Sequence, residues 1–391
     1  MSVIWRSRCV LTMACLFFAT SFPSWATRTA PTQVISRAPV GADMVAQIRA
    51  LSESGELCFL SAFCQTNLPS EVAFCQAERT LKLHADLLYQ AERLAGGRSA
   101  SVPCTEHYPF DLTSPAATIF RGSAILLVAA SRVSMRKGEK DVALRYEKLL
   151  FQLAKRLGAN PCLSACLTQA AIERLALENL RFFLAVEGKN SAFVKEALAC
   201  YRQGYILPNF VSALKGERRL LLCECATREG QAKDDTTEVL TRLNKALPLV
   251  TKPYWQVVDK LKALDRKGMN GSAETGLKRG APHAFYADIA KVRADVMAQS
   301  LLTRSALELL AWRSASGRLP ERPNLSHWPR DPYTGHALGY SKIRNGFHLY
   351  CEDSETPSWN HEFFWRSQDE LFHRPPAPKG LRPGLMVAQQ S

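Results

Sequence analysis

Apolar positions recur at helical spacing through most of this chain and change to strict alternation only near its end. The cleanest stretch runs from Lys140 to Leu157. There Val142, Tyr146, Leu149, Leu150, Leu153 and Leu157 predict one apolar face, and Lys140, Arg145, Glu147, Lys148, Lys155 and Arg156 predict the solvent face. The preceding segment, Ala116 to Met135, is apolar nearly all round and predicts a buried central helix. Lys137-Gly138 turns between the two, so together they predict an antiparallel hairpin. Further helical patterns cover Ala42 to Leu51, Ser70 (as N-cap) to Gly96, Cys162 to Val186, Ser191 to Gln203, Pro208 to Thr227, Thr237 to Ala246, Pro253 to Arg266 and Pro282 to Ser316. The intervals Gly55 to Pro69, Ser99 to Pro115 and Thr227 to Thr237 read as loops. No consistent period of about 34 residues supports a true tetratricopeptide array.

After Ser316 the pattern changes. Gly317-Arg318-Leu319-Pro320 breaks the helix, and Asp331-Pro332-Tyr333-Thr334-Gly335 predicts a turn whose backbone N–H groups Asp331 accepts. Leu338, Tyr340, Phe347, Leu349 and Tyr350 then alternate with polar positions, with the hairpin dipeptide Asn345-Gly346 between the two runs. Strands are predicted over Ala337 to Ile343 and Gly346 to Cys351, and the aromatic stretch from Trp359 to Phe372 as one further amphipathic element. The fold class is therefore mostly α, with stacked antiparallel helical hairpins (solenoid-like or a bundle) and a small C-terminal β-hairpin or meander. The predicted organisation is a leader at 1–26, a flexible mature N-terminus at 27–41, a helical body at 42–267 and a linker at 268–280. A long helix plus β module at 281–351, an aromatic extension at 352–372 and a disordered tail at 373–391 complete it.

The leader assignment rests on the first residues. Arg6 and Arg8 give a positive start, Cys9 to Phe22 an apolar core, and Ser24-Trp25-Ala26 the small residues of a cleavage site. Export to the periplasm or beyond, with cleavage after Ala26, is the expectation. The formal charge of +14, of which the leader carries two units, favours anionic surroundings such as lipid head groups or wall polymer. No segment combines a dense Lys/Arg stripe with interleaved aromatics, so no specific nucleic-acid site is expected. A protein or envelope partner is expected, with peripheral contact to an anionic membrane surface as a further option.

Cysteine usage fits export. Beyond Cys9 and Cys15 stand Cys58, Cys64, Cys75, Cys104, Cys162, Cys166, Cys200, Cys223, Cys225 and Cys351, an even set that reads as disulfide candidates in an oxidising compartment. Cys162-x-x-x-Cys166 and Cys223-x-Cys225 depart from the spacing of zinc knuckles, so no metal is expected. Cofactors are likewise not expected, since no phosphate-cradling glycine loop, nucleophile elbow or H-E-x-x-H helix is present. No catalytic residue is assigned. The nearest candidate is Glu217 in Lys215-Gly216-Glu217-Arg218-Arg219, an acid beside two arginines on an otherwise apolar helix. A structural ion pair is its preferred reading, and an acid/base of an envelope hydrolase or transferase the alternative. Arg218, Asp331 and Tyr340 are binding candidates, each with a structural role as its competing reading.

These residues carry a resemblance. Gly216-Glu217-Arg218, Gly317-Arg318-Leu319-Pro320, the Asp331 to Gly335 turn with Leu338 and Tyr340, and Gly346-Phe347-His348-Leu349-Tyr350 together resemble a family of uncharacterised exported bacterial proteins over about Ala116 to Tyr350. The resemblance implies a helical body with a small β ending and assigns no activity. The ending is also similar to the C-terminal part of type II secretion pseudopilins. The chain lacks their prepilin start, and Asp353 and Glu355 are too few to supply their calcium carboxylates.

Overall fold

A computed structural model describes residues 40–66, 69–97, 115–159, 162–227, 231–271, 286–323, 328–352 and 362–366. The leader, Cys104, most of the linker and the tail predicted from sequence lie outside these residues.

Twelve helices and three strands form the described part: α1 Val40–Glu53, α2 Glu56–Gln65, α3 Glu71–Leu83, α4 Ala85–Ala95, α5 Pro115–Arg136, α6 Lys140–Gly158, α7 Leu163–Glu187, α8 Ser191–Gly204, α9 Phe210–Thr227, α10 Gln231–Val250, α11 Tyr254–Gly271, α12 Tyr286–Ser316, β1 Gly339–Ile343, β2 Gly346–Tyr350 and β3 Glu362–Arg366. This is the mostly helical class that the apolar spacing predicts. Ser70 caps α3 by accepting from the Ala73 N–H at 3.2 Å. Consecutive helices pack on each other from α5 to α7 and from α9 to α11, and α12 returns across α7 and α8.

Five local expectations are corrected. The segment after Gly55 is the helix α2, because Leu60, Phe63 and Cys64 fall on one buried face. The predicted helix from Ser70 to Gly96 divides at His84, whose φ of −113° and ψ of 36° leave the helical basin. The loop predicted over Thr227 to Thr237 is largely the first turns of α10. The third strand, β3, occupies part of the aromatic stretch expected to form one amphipathic element, and α11 runs four residues into the predicted linker.

Helix α5 is buried as expected. It is long and apolar enough to cross a membrane, but 78% of its apolar window is covered by the surrounding helices, which is the signature of a core helix. The sheet has the order β1-β2-β3, antiparallel throughout. Ile343 pairs with Gly346, so Arg344 and Asn345 are the two hairpin residues. The inner face carries Phe347, Leu349, Phe363 and Trp365, all buried against the ends of α7 and α12.

Several helix ends are closed by side chains from other helices. Asp265 on α11 accepts the Tyr286 and Ala287 N–H groups at 3.0 Å each, capping α12. Arg132 donates to the Phe63 and Thr66 carbonyls at the end of α2, Arg156 to the Leu94 carbonyl at the end of α4, and Arg293 to the Val250 carbonyl at the end of α10. Cations at C-termini and carboxylates at N-termini suit the helix dipole, so part of the chain's charge is committed to holding the helices together.

Candidate functional site

Glu217 lies half-buried on α9 and its Oε1 accepts the Leu163 N–H at 2.9 Å, the first turn of α7. The carboxylate thus closes a helix N-terminus that Cys162 also caps, its Sγ accepting the Ala165 N–H at 3.4 Å. Arg218 points outward and donates from Nε to Asn244 Oδ1 at 2.7 Å. Lys215 and Arg219 share that exposed side of α9.

Asp331 is 1% exposed. Its Oδ1 accepts the Tyr333 N–H at 2.8 Å and its Oδ2 accepts the Glu352 N–H at 2.6 Å, so one carboxylate joins the turn to the end of β2. Tyr333 donates its hydroxyl to Asp295 Oδ1 on α12 and meets Tyr254 of α11 edge-on at 6.0 Å. Gly335 has φ +75° and a side chain there would collide with Trp255, so both conformation and space require glycine. Tyr340 donates to the Pro320 carbonyl at 2.6 Å and packs on Trp328. Trp328 in turn donates to the Leu338 carbonyl at 2.6 Å. Asp331 and Tyr340 are therefore both committed to holding the module in place.

No disulfide joins any two of the described cysteines. Cys64, Cys162, Cys166, Cys200 and Cys351 are buried, whereas Cys58, Cys75 and Cys223 are exposed. Burial pushes the Cys64, Cys166 and Cys200 thiols up to about 12, which keeps them protonated and unreactive. No group of three or more His, Cys, Asp or Glu side chains that could hold a metal occurs among the described residues.

The largest concentration of buried polar groups lies between α5, α6, α7, α8 and α12. Arg132 Nε donates to Asn179 Oδ1 at 3.3 Å, and Asn179 Nδ2 donates to Ser131 Oγ at 3.0 Å and to Glu147 Oε2 at 2.7 Å. Ser131 donates its hydroxyl to the Ala143 carbonyl at 2.9 Å. Arg132 also lies 4.8 Å from the Phe182 ring centre. This half of the seam is satisfied. The other half is not: Glu147 Oε1, both oxygens of Glu173, the Tyr205 hydroxyl and Gln299 Oε1 are buried without a hydrogen-bond partner. Burial raises Glu147 to about 8, against the pull of Asn179 and Arg132, and raises Glu173 to about 9, with Glu147 adding to the rise. Gln169 and the Ile206 backbone moderate Glu173 from nearby without completing a hydrogen bond.

Glu147 is the position where the sequence reading is most plainly overturned. Its polarity predicts the solvent side of the Lys140 to Leu157 helix, yet it is 0% exposed, while Val142, predicted on the apolar side, is 36% exposed. Helix α6 is covered on more than one side, and its buried face centres on Ala143, Glu147, Leu150, Ala154 and Leu157. Small alanines a turn or two either side of Glu147 were the available signal, since they mark close packing that a scale of apolar size overlooks.

The exterior carries its own feature. Val72 and Leu83 on α3 and Tyr89 on α4 are 76%, 67% and 61% exposed. Val72, Cys75, Arg79 and Leu83 fall at helical spacing on one outward stripe. Glu78 is held down to about 2 by hydrogen bonds from Lys137 and Lys82, so the stripe's border is ion-paired.

No protein-family model, no curated protein and no solved structure matches this chain. The resemblances stated for Gly216 to Arg218 and for Gly317 to Tyr350 rest on those residues alone.

Proposed function

We propose that this chain is an exported, non-enzymatic helical protein that acts as a scaffold or partner-binding protein in the cell envelope. The observation that carries the reading is the outward stripe of α3, where Val72 and Leu83 are 76% and 67% exposed beside the ion-paired Glu78, with Tyr89 a further exposed ring on the next helix, in the manner of a protein–protein contact. Support also comes from where the carboxylates stand. Glu217 holds a helix terminus, Asp331 holds a turn, and Glu147 and Glu173 are enclosed, so each is occupied by architecture. The leader pattern from Arg6 to Ala26 is the basis for export.

The test is capture from an envelope extract under non-reducing conditions with wild type and with the Val72→Asp/Leu83→Asp/Tyr89→Asp variant. The reading expects a stoichiometric partner that the variant loses while keeping its helical spectrum. Equal capture by both proteins would move the contact elsewhere and overturn the reading.

A second reading, contact with an anionic polymer or membrane surface, is favoured by Lys215, Arg218 and Arg219 on the exposed side of α9. It expects co-sedimentation with anionic vesicles or wall polymer that salt abolishes and that Lys215→Gln/Arg219→Gln weakens. Sedimentation indifferent to salt would sink it.

A further inference from the structure

The unsatisfied half of the interior seam lies next to the one non-helical stretch between α8 and α9, Tyr205 to Asn209. Tyr205 and Ile206 belong to this link. Tyr205 stacks on Tyr201 of α8 with ring centres 5.3 Å apart, and its hydroxyl is buried without a partner. Ile206 is 41% exposed, yet its backbone reaches inward, where its carbonyl accepts from Gln169 Nε2 at 3.5 Å. The link is thus a single layer of chain, with solvent on one side and Glu173 on the other.

The charges facing Glu173 are unbalanced. From α6 comes Glu147, of its own sign; from α7, the neutral Gln169; from the link, Tyr205 and the Ile206 backbone. From α8, Tyr201 is held by Ser300 Oγ of α12 at 2.7 Å, and Arg304 and Glu308 of α12 act on Tyr201. The cation nearest in effect, Arg132 of α5, acts on Glu147. Two ionised carboxylates here would share one cation, Arg132, which acts on Glu147 alone, and would leave Glu173 with only the Ile206 backbone and Gln169 nearby, which a low-dielectric interior does not tolerate. Two protonated acids carry no charge to desolvate.

We propose that Tyr205 to Asn209 is a cover over an internal proton site formed by Glu173 and Glu147, closed while the acids hold their protons and opened when they release them. On opening, each proton passes to bulk buffer and water enters to solvate the carboxylates. The link is the part that yields, because it contributes no helical ladder, whereas α6, α7 and α12 are fully laddered. The sign follows from burial: both acids are raised above the ordinary glutamate value of 4.5, so their contribution to the closed form is complete below 4.5 and is lost as pH rises towards about 8 to 9.

Two thiols read the cover. Cys200 on α8 is buried and feels Glu147, while Cys64 on α2 is buried beside Arg132 at the satisfied end of the seam, and both thiols are pushed up to about 12. Their intrinsic gain in reactivity with pH is therefore shared, and the ratio of their alkylation rates isolates local opening. With iodoacetamide on the reduced, folded chain, the Cys200 to Cys64 ratio should rise at least about tenfold between about pH 6.5 and about pH 9.5. It should stay flat in Glu173→Gln/Glu147→Gln, which keeps the shape and removes both titrations. A constant ratio in wild type overturns the proposal whether or not the variant folds. An equal rise in a folded variant overturns it as well.

Discussion

The helical body and the C-terminal module handle buried polarity differently, although the module too leaves one buried group, His348 Nε2, without a hydrogen bond. In the module, Asp331, Tyr333, Tyr340, Trp328 and Trp365 each spend their polar atoms on a named partner within reach, several of them backbone groups of the module itself. In the body, the seam from Arg132 to Glu173 begins with every group satisfied and ends with four polar side chains that are not. A small sheet with little apolar area has to be specified by hydrogen bonds, and each one lost is felt. A body of stacked helices draws on a large apolar core, so it tolerates an unsatisfied interior so long as the acids there stay neutral.

The most severe way to break this contrast is at Arg132, the buried member of the charges that close helix ends. Arg132→Ala strips the Phe63 and Thr66 carbonyls of their donor and leaves Glu147 and Asn179 without their cation; a loss of about 3–5 kcal/mol is expected in denaturant titration. Asp331→Ala is next, at about 3 kcal/mol, because the Tyr333 and Glu352 N–H groups lose their acceptor together. Its signature should be local: early exchange of amide protons in β1 and β2 before those of α5. Gly188→Ala sharpens the joint between the two regions. A β-carbon there would stand 2.2 Å from Trp365 Nε1, so the indole must leave the Leu184 carbonyl that it now reaches at 2.9 Å. About 2 kcal/mol of destabilisation and a shifted tryptophan emission are expected.

The smallest effect concerns pH and has the opposite sign to that of the seam. His348 stacks on Phe364 with ring centres 3.8 Å apart, and burial lowers its pKa to about 4 despite Glu362 Oε2 3.5 Å away. A histidine lowered in the fold is neutral there and charged in the unfolded chain, so stability contributed above 6.5 is lost as pH falls towards 4. His348→Phe should flatten the acid limb by about 1 kcal/mol while leaving the alkaline limb intact. Acid limbs that coincide in the two proteins would show that the imidazole is solvated.

The two regions also differed in how much could be read in advance. The module was legible because turn chemistry is local: Asp331 and Gly335 announce their geometry within a few residues, whereas the Asn345-Gly346 pair marks the hairpin one position late, the turn residues being Arg344 and Asn345. Its third strand was hidden, since Phe363, Phe364 and Trp365 form a run of three large rings rather than a clean alternation. In the body, element existence was legible from period alone, whereas the seam was not. Glu147 and Glu173 look like surface residues to any reading that sorts by polarity, and only the packing of α6 and α7 against several neighbours at once takes them inside. Glu217 shows the converse, an acid flagged as chemistry that serves a helix end 54 positions earlier.

The clasp between Trp365 and the Leu184 carbonyl joins positions 181 apart. During synthesis the middle of the chain leaves the ribosome long before the strand that covers it, so α7 waits with its carbonyl end bare while α8 to α12 are made. Formation of β3 is thereby written into the surface: a product stopped short of it displays an uncovered helix end and an unpaired edge along β2, a readable mark for whatever sorts finished chains from fragments.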